Sequence, residues 1–202
     1  MGPDEIPPLH HAEPEPLVHG FRGTSGSGSG WEPAGLDELH QLRALVDEAA
    51  AVEGDVARAL ERLTAGAPTG QIVTWAWVTD PKRREVLLVD HAWFGHWEPP
   101  GGGVRRGERA LGAVPGELVE ETGIPPAVPE PAAALVDVVR NVDPDGAVVD
   151  TFGVAYAFTV DRAVPLVPEP GQPVAWWPVS APPPPKAEPN GARLVRHLTA
   201  ER

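Results

Sequence analysis

Four glutamates and a glycine-rich turn sit together in the middle of this 202-residue chain. Gly102-Gly-Val-Arg-Arg-Gly-Glu108 is followed, after seven residues, by Gly116-Glu-Leu-Val-Glu-Glu-Thr-Gly-Ile124. Glu117, Glu120 and Glu121 stand at i, i+3 and i+4, so on a helix they project from one face. Like charges at that spacing destabilise an isolated helix, and a hard divalent cation compensates. Carboxylate oxygens are the ligands that magnesium and manganese prefer. Glu108, on the turn entering the helix, can add a fourth carboxylate. Gly102 and Gly103 let backbone carbonyl and amide groups come close to a metal or phosphate, because no side chain intervenes. A metal in such a place activates water, polarises a phosphoryl oxygen and neutralises a leaving diphosphate. A nearby carboxylate then accepts the water proton. The bland alternative is a solvated, glutamate-rich helix after a glycine turn.

The segment needs a scaffold, and the flanking patterns supply one. Ile72-Val-Thr-Trp-Ala-Trp-Val-Thr79 is rich in β-branched and aromatic residues, and Val86-Leu-Leu-Val-Asp90 reads as its return strand after Asp80-Pro81. Alternation sends Trp75 and Trp77 to one face of the first strand, where they read as core. Ala134–Asn141 and Ala147–Val160 read as strands joined by a turn at Asp143-Pro-Asp-Gly146. Val174–Val179 is a last strand, Pro182–Pro185 a short polyproline stretch, and Ala192–Thr199 a terminal helix. Upstream, Leu36, Leu39, Leu42, Leu45 and Val46 recur at helical spacing, and Asp55 caps a second amphipathic stretch carrying Val56, Leu60 and Leu63. These two helices form a hairpin extension over residues 35–66, packing on the main domain or on a second subunit. Residues 1–34, with repeated prolines and Gly23-Thr-Ser-Gly-Ser-Gly-Ser-Gly30, read as a disordered tail and flexible linker. Residues 70–180 form the main domain, and 181–202 a proline-rich segment with a C-terminal helix.

The combined spacing of glycines and glutamates resembles the signature of the Nudix family. Gly102, Glu108, Glu117, Leu118, Glu120, Glu121, Gly123 and Ile124 match eight of its nine fixed positions. The order of strands from Gln71 to Val179 is also similar to that family, including Trp97-Glu-Pro-Pro-Gly-Gly and the closing Trp-Pro strand. The resemblance implies an α/β fold, a Nudix-like α/β/α sandwich with a mixed β-sheet. It implies magnesium-dependent hydrolysis of a nucleoside diphosphate linked to another moiety, with Mn2+ as an alternative metal. Glu117, Glu120, Glu121 and the Gly102 carbonyl are then the metal ligands, Glu120 and Glu117 the catalytic carboxylates, and Glu108 and Gly103 their support. A base can also come from a later loop. Glu169, Asp143, Asp145 and Asp150 are the candidates, all four reading as surface charges.

The departure is Gly116, which stands where the family motif has an arginine that orients the glutamates. Pro115 precedes it. Proline inside a helix costs about 3 kcal/mol and glycine about 1 kcal/mol. The sequence therefore predicts a helix that starts or kinks at Pro115, with residues 109–114 as loop or a separate short turn. This leaves a second reading open, a nucleotide-binding or regulatory module of the same fold with little or no catalysis.

Composition narrows the partners. A net charge of −13 argues against DNA or RNA as the main partner, since backbone binding needs a basic surface. A small phosphorylated substrate remains compatible once a metal bridges the negative groups. Arg105 and Arg106 lie within the central segment as candidate phosphate contacts. Trp93, Phe94 and Trp97 beside the glycine turn could stack on a base or pack as core. There is no cysteine, which excludes disulfides and thiolate metal sites. No apolar run reaches membrane-spanning length, and a cytoplasmic protein, with a homodimer through the hairpin as an option, is the expectation. Gly102–Arg109 lacks the Lys-Ser/Thr of a P-loop, and the triple glycine lacks the dinucleotide fingerprint.

Overall fold

The computed structural model describes residues 36–66, 69–91, 95–105, 107–142, 148–187 and 189–200. The tail and linker over 1–34, Trp93, Phe94, Arg106 and the turn at 143–146 lie outside them. None of the described helices is long and apolar enough to cross a membrane.

A seven-stranded mixed sheet forms the centre. Its strands are β1 (Thr69–Thr79), β2 (Glu85–His91), β3 (His96–Glu98), β4 (Gly101–Gly103), β5 (Leu135–Val142), β6 (Val148–Thr159) and β7 (Val174–Pro178). The path runs β3-β2-β1-β6-β5, with β4 added to β1 and β7 to β2. β1 and β6 are parallel, and the other pairs are antiparallel. Asp80 ties the β1–β2 turn by accepting the backbone N–H groups of Lys82, Arg84 and Glu85. Burial alone would raise its carboxyl, but those bonds outweigh it and leave it below the usual range.

Alternation on β1 decides the layers. Ile72, Ala76 and Val78 meet helices α1 (Leu36–Glu48), α2 (Val56–Thr64) and α3 (Ala110–Thr122) in one core. Trp75 and Trp77 turn to the opposite face, as the alternation predicts, where Leu194, Val195 and Leu198 of α4 (Pro189–Ala200) cover them. The result is an α/β/α sandwich.

α3 does not start at Pro115, one of the two expectations, and residues 110–114 are helix rather than loop. It begins at Ala110, so Pro115 lies inside the helix rather than at its start. Ala110, Ala113 and Val114 are buried against β1 and β6, and their burial offsets the hydrogen bond that proline cannot make. The helix ends on Gly123, whose φ of 69° provides a left-handed cap.

The two sheet edges are closed by chain segments outside the named strands. The link between α1 and α2 runs beside β5. There Ala50 N–H donates to Ala133, Val136 N–H to Ala51, and Glu53 N–H to Val136, at 2.9–3.0 Å. At the other edge Trp97 N–H donates to the Lys186 carbonyl at 3.2 Å. The polyproline stretch lies just before that contact, tied down by the Trp177 indole N–H on the Pro182 carbonyl at 2.8 Å. Asp150, expected at the surface, is buried and joins α2 to the sheet, accepting from Arg62 at 2.8 Å and Arg140 at 3.4 Å.

Leu42 and Val56 are wholly buried in the main core, so α1 and α2 pack on the domain itself. Leu42→Ala should cost about 3 kcal/mol in denaturant unfolding, with the slope unchanged. Residues 70–198 expressed alone should lack the sharp near-ultraviolet circular dichroism of the whole chain, because β5 loses its edge partner and the core loses a wall.

Candidate functional site

The site is built where α3 lies over β4. β4 is held by β1 in antiparallel register, with Thr74 opposite Gly102 and Trp75 opposite Gly101. Glu117 packs its carboxylate directly against Gly102. A Cβ placed there would lie 2.6 Å from both the Glu117 carboxyl carbon and one of its oxygens. Only glycine admits that approach. Gly101 donates its N–H to Glu121 Oε2 at 2.9 Å. Gly103 is covered from the other side by the Gln71 amide. The structure thus brings together Gly102, Gly103, Glu117 and Glu121.

The four motif glutamates differ sharply in environment. Glu121 is 5% exposed, Glu117 is half-buried, and Glu120 is exposed. Glu108 closes its own turn, with Oε2 accepting the Arg105 N–H at 3.2 Å while its N–H donates to the Arg105 carbonyl at 2.9 Å. Burial pushes the Glu121 carboxyl up to about 8, against the Gly101 bond, and the charges of Glu98, Glu117 and Glu169 add to it. Burial also raises Glu117, followed by the charge of Glu120, with Arg105 opposing. Arg105 is itself exposed.

Other sequence-selected residues fall elsewhere. Trp97 packs with the cluster under α4, while His96 and Glu98 alternate to the other side of β3. Asp150 belongs to the arginine network already described. Glu169, read as a surface charge, has an exposed side chain but lies on a loop that runs along the end of α3. Val167 N–H donates to Thr122 at 2.8 Å and Glu169 N–H to Glu121 at 3.3 Å. Its charge is felt by Glu117, Glu121 and His91. His91 and Glu98 were missed by motif reasoning. His91 Nε2 lies 3.7 Å from Glu121 Oε1, and His96 Nε2 lies 3.6 Å from Glu98 Oε2. Their signal was indirect, since both flank an aromatic loop that leads into the glycine turn.

Among the described residues no three histidine or carboxylate side chains converge closely enough to form a ligand set. The chemistry of the donors nevertheless fits a hard divalent cation. Carboxylates with raised affinity for protons gather beside a glycine backbone that offers carbonyl oxygen, and a cation would relieve their mutual repulsion.

A family model described as the NUDIX domain matches residues 70–198. The chain belongs to this family. Its fold is that of the Nudix hydrolases. Solved structures similar to it include a MutT NUDIX hydrolase from Burkholderia pseudomallei, at 24% identity over 62% of this chain and 95% of that one, TM-score 0.47. Another is the NUDIX domain of Shewanella oneidensis NrtR complexed with ADP ribose, at 22% identity over 70% and 96%, TM-score 0.49. A third is a C. elegans Ap4A hydrolase, at 17% identity over 65% and 96%, TM-score 0.47. No curated protein matches the chain.

The raised Glu121 carboxyl has a measurable consequence without metal. Between about 4.5 and about 8 the folded chain holds a proton that the unfolded chain has lost. That contribution to stability is complete below the unfolded value and is lost as pH rises through the folded one. In chelator, stability should therefore fall across this window, and Glu121→Gln should remove most of the slope. At pH 8 the variant should be more stable by roughly 2–4 kcal/mol in denaturant unfolding.

Proposed function

We propose that this Nudix domain hydrolyses a phosphoanhydride bond in a nucleoside diphosphate linked to another moiety. The observation that carries this reading is the seating of Glu117 on Gly102 beside Glu121 on the Gly101 N–H, which joins the carboxylates to the glycine strand. Mg2+, or Mn2+ in its place, would be held by Glu117, Glu120, Glu121 and the Gly102 carbonyl, supplying Lewis-acid activation and charge neutralisation at a phosphoryl group.

The chain's own residues would act around that centre. The Gly101 N–H holds Glu121, and Gly102 leaves room for the Glu117 carboxylate beside it, which reduces the ordering that reaction would require. Glu120 is exposed, so an attacking water can reach it, and one of its carboxylate oxygens would accept the proton while the other serves the metal. Glu169 is a second candidate for that step, since its loop follows the end of α3. Glu108 shapes the turn that presents Arg105, a candidate contact for a phosphate. Substrates of this class, small and phosphorylated, suit a chain of net charge −13 better than a nucleic-acid polymer does. Solubility in the cytoplasm is part of the same reading.

The test is release of phosphate or nucleoside monophosphate from a panel of diphosphate compounds, in magnesium, manganese and chelator. Turnover of at least one compound should require metal. Glu120→Gln and Glu117→Gln should each lower kcat/KM roughly 100-fold or more. Unchanged turnover in both variants would sink these roles.

The binding-module reading is favoured by one feature, the absence of any basic residue on α3. A Cβ at Gly116 would meet nothing within 4 Å, so a side chain can leave the helix there. Pro115→Ala with Gly116→Arg should raise stability by about 1–3 kcal/mol through restored helix formation. For a competent enzyme the same change should alter kcat/KM less than about 10-fold by P115A/G116R kinetics. A far larger gain would identify the natural site as impaired and favour the module.

A further inference from the structure

α3 carries three glutamates and no lysine, arginine or histidine. On a helix surface a basic residue three or four positions away can pair with a carboxylate and so orient it. Here no such partner exists on the helix, so any orienting group must come from elsewhere. For Glu121 the structure provides two contacts, and both belong to strands. Gly101 N–H donates to Oε2 at 2.9 Å, and His91 Nε2 stands 3.7 Å from Oε1. The pair is sheltered, with side-chain exposures of 16% for His91 and 6% for Glu121.

His91 is placed rigidly enough for the task. It closes β2 and lies opposite His96 in the β2–β3 register, while Asp90 beside it pairs with Trp97. Its own backbone carbonyl accepts the Gly95 N–H at 2.7 Å, which fixes the strand end. Besides Glu121, the titratable groups that act on the ring are Glu98, His96 and Glu169. Gly101 holds one carboxylate oxygen of Glu121 and leaves the other to be oriented by a side chain.

We infer that His91 is a positioning residue, orienting the free oxygen of Glu121 from β2 where α3 has no cation to do so. The inference rests on the proposed metal-supported site. It assigns His91 no contact with substrate.

Manganese alone is the probe, followed by electron paramagnetic resonance in the full chain, with thermal unfolding in chelator run beside it. Wild type should bind Mn2+. His91→Ala should bind it about 10- to 100-fold more weakly. His91→Gln keeps an amide N–H within reach of Glu121 and should recover most of that loss, while unfolding within a few degrees of wild type. In a double-mutant cycle, His91→Ala should weaken Mn2+ binding little further once Glu121 is already Gln. Equal affinity in wild type and His91→Ala would overturn the role. So would a His91→Gln variant as weak as His91→Ala, or full additivity in the cycle. Absence of Mn2+ binding by folded wild type would instead overturn the metal reading beneath it.

Discussion

The seating of two carboxylates on a glycine backbone is the constraint on which the rest of this molecule depends. Glu117 against Gly102 and Glu121 on Gly101 N–H bring two carboxyl groups onto a strand that has no side chains to separate them. Such contacts persist only if helix and strand are both held from outside. β4 is held by its register with β1, which is itself locked in parallel to β6. α3 is held by the buried Ala110, Ala113, Val114 and Leu118. Its far end is fixed by the left-handed cap at Gly123 and by the loop that covers its last carbonyls through Val167 and Glu169. Packing on the sheet therefore does for this helix what intrinsic propensity cannot, given Gly112, Pro115 and Gly116 within it.

The electrostatics follow from that arrangement. Glu121 sits among Glu98, Glu117 and Glu169, with His91 Nε2 3.7 Å from its Oε1. Burial lowers the affinity of His91 for a proton and raises that of Glu121, so both groups are pushed toward their neutral forms. A neutral pair suits the chain when no cation is bound. A bound cation would reverse the balance at Glu121, favouring carboxylate and making the orientation of its oxygens matter more.

Much of the fold was legible because its signals are local. β1 alternates cleanly, and Trp75 and Trp77 share the α4 face as their spacing required. Asp55 caps α2 with its carboxylate on the Arg58 N–H, a choice made within one turn of chain. The motif spacing also brought Gly102, Glu117 and Glu121 to one place, as the structure has them. What escaped was decided by distant contacts. Pro115 reads as a helix start or a kink, and burial of the residues before it decides against the start by extending the helix back to Ala110. Asp150 reads as a surface charge, yet Arg62 lies 88 positions away in sequence and meets it across the core edge. Glu169 and His91 come to Glu121 only through strand order and loop path, and neither residue type announces that in its neighbourhood.

The physical unit of this protein also begins earlier than the family pattern does. The match starts at residue 70, whereas the main core includes Leu39, Leu42, Val56, Ala59 and Leu63. An open β5 edge would present unpaired N–H and carbonyl groups, a template for pairing with other chains. The α1–α2 link occupies those groups between Ala133 and Val136, and the Arg62–Asp150 pair clamps the extension from a second side. Arg193 of α4 reaches both Glu53 of the same link and Asp137 of β5, so the layer on the opposite face grips the extension too. Since β5 supports β6, and β6 supports β1 and through it the glycine strand, this extension bears on the geometry of Glu117 and Glu121 without touching either.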